Sequence, residues 1–198
     1  MEELIANLEK NGFSVITAAD RKEALRRARD FVHPGMRVGL GGSETVREVG
    51  LLEELAARED IELYNQYEPG IDMEENLRRR RLGLLSDLYV TGCNAITRKG
   101  ELVNADGSGN RVAAQIFGPK KVLLLVGRNK IVEDLHAAFR RIREIAAVKN
   151  VARMNRKMEE MGKAPRFNLK NIANKFAWID GDEPGRTTII LIDEDLGY

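Results

Sequence analysis

Three glycine-rich, polar stretches hold the groups that could do chemistry: Gly39–Thr45, Thr91–Ile96 and Asn104–Arg111. The first, Gly39-Leu40-Gly41-Gly42-Ser43-Glu44-Thr45, has glycines that let backbone approach a ligand, and a helix start offers free N–H groups to an anion. It lacks the lysine of a P-loop and the G-x-G-x-x-G spacing of a dinucleotide site. Glu44 would repel a tightly held phosphate, yet it could accept a substrate hydroxyl or act as base or nucleophile. The plainer reading is that Glu44 complements the helix dipole. In the second stretch, Asn94 both donates and accepts, which suits orienting a carboxylate or carbonyl. Cys93 has no histidine base nearby in sequence, so it reads as a packed thiol. His136 falls on the polar face of its helix with Arg140 and Arg143.

The third stretch opens a helix that carries Arg111, whose guanidinium could clamp a carboxylate or phosphate in two-pronged fashion. Its plainer reading is a tight Asp106-Gly107 turn with Asn110 as N-cap. Gly127-Arg128-Asn129-Lys130 adds Lys130 to the same pocket. The expected ligand-binding set is Gly41, Gly42, Ser43, Thr45, Thr91, Asn104, Asp106, Gly107, Gly109, Asn110, Arg111 and Lys130, with Glu44 and Asn94 as the catalytic pair. No metal-ligand set and no cofactor signature is evident. The run Arg78-Arg79-Arg80-Arg81 resembles a nucleic-acid patch, but four consecutive helical residues point in nearly all directions. It reads as a solvated helix with one or two arginines turned to a site or partner.

The elements that must position these loops alternate. Leu4, Ile5 and Leu8 mark a helix over Glu2–Lys10, and Phe13–Thr17 reads as a strand. Asp20 should cap a helix running to about Val32, stopped by His33-Pro34-Gly35. Met36–Leu40 is a strand, followed by a helix to about Arg58 that starts on a Thr45-x-x-Glu48 capping box. Ile61–Tyr64 and Asp87–Val90 are strands around a basic helix, Met73–Leu85. Ala95–Thr97 and Glu101–Asn104 form a hairpin. After a helix over Asn110–Phe117, the apolar strand Lys121–Val126 should be central and buried on both faces. Leu135, Phe139, Ile142 and Ala146 form one stripe of the next helix, and Arg186–Asp193 is a final strand. Strands separated by helices imply an α/β fold with a mostly parallel open sheet and helices on both faces. Residues 1–198 read as a single domain, with 151–184 as a helical or irregular excursion.

Composition narrows the classes. The 198 residues carry Lys+Arg 32 and Asp+Glu 31, a formal net charge of +1, which argues against nucleic-acid binding. One cysteine excludes a disulfide scaffold and a site built only from thiolates. A 43% hydrophobic content is too high for a disordered chain, and the longest apolar run, Val122–Val126, is too short to span a membrane. The acidic start Met1-Glu2-Glu3 is unlike a secretory signal, so a cytoplasmic protein is expected.

The order of motifs carries a resemblance. Thr91-Gly-Cys-Asn-Ala-Ile-Thr97, Gly100-Glu-Leu-Val-Asn-Ala-Asp-Gly-Ser-Gly-Asn-Arg-Val-Ala-Ala114, Phe117-Gly-Pro-Lys-Lys-Val122 and Gly127-Arg-Asn-Lys-Ile-Val132 resemble the LUD domain of lactate-utilisation proteins, in particular the C subunit. Gly41-Gly-Ser-Glu-Thr45 and Asp195-Leu-Gly-Tyr198 fit the same pattern. The resemblance implies a fold similar to ribose-5-phosphate isomerase, glucosamine-phosphate deaminase and CoA transferases. It implies a role in lactate or related organic-acid utilisation, a small anionic metabolite as ligand, and iron–sulfur protein subunits as partners. The fold analogy also admits an independent CoA-transferase working through an acyl-Glu44 intermediate, a phosphosugar enzyme, or a non-catalytic subunit that docks an iron–sulfur partner. Self-association as a homo-oligomer is left open. Gly92-Cys-Asn-Ala-Ile96 with Asn104 and Gly107 resembles the methylthioribose-phosphate isomerase branch, where an Asp stands at the position of Asn94. That departure weakens a sugar-phosphate isomerase reading. Relatives with this signature often carry clustered cysteines near the C-terminus, whereas Asn155–Thr188 contains none, so any redox centre would belong to a partner.

Overall fold

The computed structural model describes residues 1–198. Its main sheet contains β1 (Ser14–Ala18), β2 (Arg37–Leu40), β3 (Glu62–Tyr64), β4 (Leu88–Gly92), β7 (Lys121–Gly127) and β10 (Thr187–Ile192), in the order β1-β10-β7-β4-β2-β3. Every pairing in it is parallel. The expected central strand is central: β7 lies between β10 and β4, and Leu123 to Val126 are fully buried. An unbroken run of Val and Leu suits such a strand, because both of its faces are covered.

The two faces are closed differently. On one, α2 (Arg21–Arg29), α3 (Glu44–Val49) and α4 (Leu51–Ala56) pack Ala24, Ala28, Val46, Leu51 and Leu55 against Leu123, Leu125 and Ile190. On the other, α1 (Glu2–Lys10) brings Leu4 and Leu8 to Val122, Leu124 and Ile189. That face is completed by a second sheet, which the sequence reading did not separate from the first. Its strands are β5 (Ala95–Thr97), β6 (Leu102–Asp106), β8 (Ile131–Val132) and β9 (Lys175–Ile179), ordered β8-β5-β6-β9. The expected hairpin is β5–β6, antiparallel, with Ala95 opposite Val103.

Two local expectations are corrected. The helix after β2 is not capped by Thr45: Ser43 Oγ accepts the Val46 amide, and Thr45 and Glu48 are instead bonded to Leu196 and Gly197. That helix does not run through to Arg58, because Gly50 at φ 85° divides it into α3 and α4. Residues 151–184 mix helix, irregular chain and one strand. They hold the second half of α8 (Ala147–Glu160), then α9 (Leu169–Ile172) and β9, whose Trp178 pairs with Val103 of β6. Finally, α7 (Leu135–Arg141) passes into α8 through a π-helical turn, Ile142–Ala146. The turn shifts the helical phase, so Ile142 and Ala146 stay buried while Phe139 is partly exposed beside Phe176.

Because the main sheet is parallel, β2, β3, β4, β7 and β10 all end along one edge. The loops beyond those ends converge there, as ligand loops do in open α/β sheets.

Candidate functional site

A cleft of about 560 Å³ opens at that edge. One wall is the turn after β2, with Gly42, Ser43, Glu44 and Thr45. Asn94 follows β4, Lys130 follows β7, and Gln66 and Tyr67 follow β3. Asp106, Gly107, Asn110 and Arg111 come from the end of β6 and the start of α6 (Asn110–Ile116). The opposite wall is a stripe of α8, namely Ala147, Asn150, Arg153, Met154 and Lys157. Gly41, Thr91, Asn104 and Gly109 from the expected set do not line the cleft. Gly41 is where two strand ends meet: an added Cβ would lie 2.4 Å from Thr91 Oγ1. Its small size serves strand packing rather than approach to a ligand.

Arg111 has a different task from the expected clamp. It is buried, and all five guanidinium donors are used within the chain. Nε donates to Asp106 Oδ1 at 3.0 Å; Nη1 donates to Asn104 Oδ1 at 2.8 Å and Gly92 O at 3.3 Å. Nη2 donates to Asn94 Oδ1 and to Ala105 O, both at 2.7 Å. Asp106 Oδ2 accepts the amides of Arg111 and Val112, so a carboxylate of the chain itself occupies the start of α6. The cap position there is Gly109, not Asn110. Asn104 is fully buried and donates to Gln115 Oε1 at 2.7 Å. Arg111 and Asp106 thus form the floor of the cleft, and Asn104 supports them from beneath.

The same floor fixes Asn94. Its Oδ1 accepts Arg111 Nη2 and the Ala105 amide, and its backbone oxygen accepts Arg141 Nη1 at 2.7 Å. The Nδ2 amide is left as the group Asn94 can offer a ligand. Glu44 lies 3.4 Å from Arg153 Nε and 3.7 Å from Arg47 Nε. Cys93 is packed as expected: its thiol donates to Ala95 O, and burial pushes its pKa up. Both histidines are exposed.

Lys130 is the outstanding group. It is 2% exposed, and its Nζ reaches Thr45 Oγ1 at 3.3 Å and the backbone oxygen of Tyr198 at 3.2 Å. It has no carboxylate partner. Burial, and then the neighbouring Arg141, hold its pKa down to about 7. Arg141 is likewise buried, and both of its bonds are to backbone oxygens.

Several lining residues lie outside the expected ligand-binding set. Arg80, the third of the four consecutive arginines, turns to the cleft and donates to Ser108 Oγ at 2.8 Å, while Arg78 and Arg79 are tied to Glu75. Tyr67 lies over the turn at Gly42, where an added Cβ would come 2.8 Å from its hydroxyl. Tyr198 Oη accepts Arg153 Nε at 2.6 Å. The i, i+3, i+4 and i+7 spacing of Asn150, Arg153, Met154 and Lys157 is the sequence signal that puts these side chains on one helical face. In all, six basic residues line the cleft against two acidic ones. No three His, Cys, Asp or Glu side chains converge to hold a metal ion, and no helix is long and apolar enough to cross a membrane.

The LUD domain family matches the chain over residues 1–192. The chain belongs to the LUD domain family. Its fold is similar to that of a DUF162 family protein from Deinococcus radiodurans, with TM-score 0.54 and 14% identity over 96% of this chain and 94% of that one. Ribose 5 phosphate isomerase A from Neisseria gonorrhoeae gives TM-score 0.39 and 15% identity over 72% of this chain and 65% of that one. No match is found among curated proteins. In this LUD domain, the residue-level motifs Gly41–Thr45, Cys93–Ala95, Asn104–Arg111 and Gly127–Lys130 all fall at one edge of the main sheet, around one cleft.

Proposed function

We propose that this LUD domain binds a small organic acid of the lactate type in the cleft, in the service of organic-acid utilisation. Buried Lys130, without a carboxylate partner, carries the reading. A buried ammonium lacking a counter-ion is costly, and a carboxylate seated beside it would supply the missing charge. In this reading Lys130 and Thr45 hold the acid, Asn94 Nδ2 orients it, and Glu44 faces its hydroxyl. Arg111 builds the floor rather than gripping the ligand. An electron acceptor for oxidation of the acid would sit on a partner subunit.

Titration calorimetry with lactate and pyruvate tests binding, and growth on lactate after gene deletion tests the role. Binding that is lost in Lys130→Met, together with impaired growth, is expected. Unchanged growth and no heat of binding would overturn the reading. Co-purification with an iron–sulfur protein would place the acceptor.

A further inference from the structure

The cationic lining extends well beyond Lys130, and its distribution bears on which acid fits. Of the six basic residues in the cleft, Arg111 is paired with Asp106 and Arg153 with Glu44. Arg80, Lys130, Lys157 and Arg166 have no carboxylate partner. Lys130 stands at the inner end, bonded to Thr45 and Tyr198.

The other three are gathered by a separate set of contacts. Arg80 is held by Ser108 Oγ, and its Nε is buried without a hydrogen-bond partner. The adjoining Gly107 packs so closely on the Asn171 carbonyl that an added Cβ would come within 2.5 Å of its oxygen. Asn171 Nδ2 in turn donates to Arg166 O at 2.9 Å. The Arg166 amide donates to Asn155 Oδ1 at 3.1 Å, one half-turn before Lys157 on α8. Three cations without a carboxylate partner therefore line the rim, supplied by α5 (Met73–Gly83), α8 and the segment before α9.

We propose that the cleft has two anion seats, and that its ligand is an organic acid with a second, distal anionic group. The proposal rests on the organic-acid reading of the cleft. One carboxylate at Lys130 leaves the rim cations uncompensated, whereas a second anion there supplies the charge they lack. Size agrees: about 560 Å³ is far more than a three-carbon acid fills, since pockets of roughly 300–1,000 Å³ take drug-sized ligands. The second group is a carboxylate or a phosphate, both of which arginine binds with two parallel bonds.

The test compares lactate with 2-hydroxy acids that add one anion: malate, 2-hydroxyglutarate and 3-phosphoglycerate. At neutral pH, at least one of these should bind about tenfold more tightly than lactate by calorimetry. The preferred member distinguishes carboxylate from phosphate at the rim. The preference should fall towards unity in Arg80→Gln and in Arg166→Gln, with circular dichroism and Tm checking that each variant is folded. Equal affinity for all four acids in the unaltered protein would overturn the proposal, as would a preference that survives both substitutions. Tight binding of a two-anion acid without any binding of lactate would uphold it and refute the monocarboxylate form of the functional reading. No binding by any of the four acids would overturn both.

Discussion

Arg111 Nη2 donates to Asn94 Oδ1 at 2.7 Å, and the same oxygen accepts the Ala105 amide at 3.0 Å. One side-chain oxygen thereby joins the loop after β4, the strand β6 and the first turn of α6. Because Oδ1 is committed to these bonds, the Asn94 amide group has a fixed direction. The residue most suggestive of a ligand clamp is the one that builds the loops around the ligand's space.

Arg111→Met should therefore act on stability before it acts on binding. It removes the guanidinium from Asp106, Asn104 and Asn94 Oδ1, leaving the Asp106 carboxylate without its buried counter-charge. The expected loss is about 3–5 kcal/mol, as for other buried pairs broken on one side. Urea denaturation followed by circular dichroism measures it. Arg111→Lys should restore little, since one ammonium cannot span acceptors arranged around a planar fork. A loss below about 1 kcal/mol would show that the network is dispensable.

Lys130 should give stability a pH dependence of definite sign. Its pKa is about 7 when folded, against an ordinary 10.5. Between those values the unfolded chain holds a proton that the folded chain does not, so stability rises with pH across the window. Below about 7 both states are protonated, and the cost of the buried charge is present in full. One proton contributes at most about 1.4 kcal/mol per pH unit. In Lys130→Met this component of the slope should vanish, and the variant should compare most favourably with the parent near and below pH 7. Denaturation at stepped pH values checks this. An unchanged slope would mean that Lys130 is not the titrating group.

Ligand binding should be linked to the same proton. An anion beside Lys130 favours its charged form, so binding above neutral pH should take up a proton and weaken as pH rises. Calorimetry in buffers of differing ionisation enthalpy reads the proton directly. Zero uptake would separate Lys130 from the bound anion.

Gly41→Ala should destabilise the chain without touching the cleft. The new methyl would meet Thr91 Oγ1 at 2.4 Å and Thr91 Cβ at 2.7 Å. Overpacking of this kind costs about 1–3 kcal/mol. Adding Thr91→Ala should recover part of the loss, and thermal melts of the three variants test the pairing. A single variant as stable as the parent would show that the strand ends can separate.

Cys93 should be inert in the folded protein. Burial pushes the thiol pKa up, and the group donates to Ala95 O. Reaction with a disulfide reagent should be slow in buffer and should accelerate in step with unfolding as urea is added. Rapid labelling of the native chain would contradict this packing.

Much of the architecture was legible locally. An unbroken Val122–Val126 run requires burial on both faces, Asp20 caps its helix by accepting the Glu23 amide, and helices between strands impose parallel pairing. Parallel pairing in turn brings the strand ends, and so the glycine-rich loops, to one edge. What the sequence determined by itself was therefore the set of loops around the cleft, because periodicity and turn chemistry are properties of neighbours in the chain. Which of their groups remain free to meet a ligand was decided by tertiary structure. Arg111 looked available until its acceptors arrived from the end of β4, the turn that follows it and β6, and the rim charge Arg80 lies more than seventy residues from Lys157 and Arg166 in sequence. Hydrogen-bond donors are used up, and charges left unpaired, by residues that only folding brings within a few ångströms.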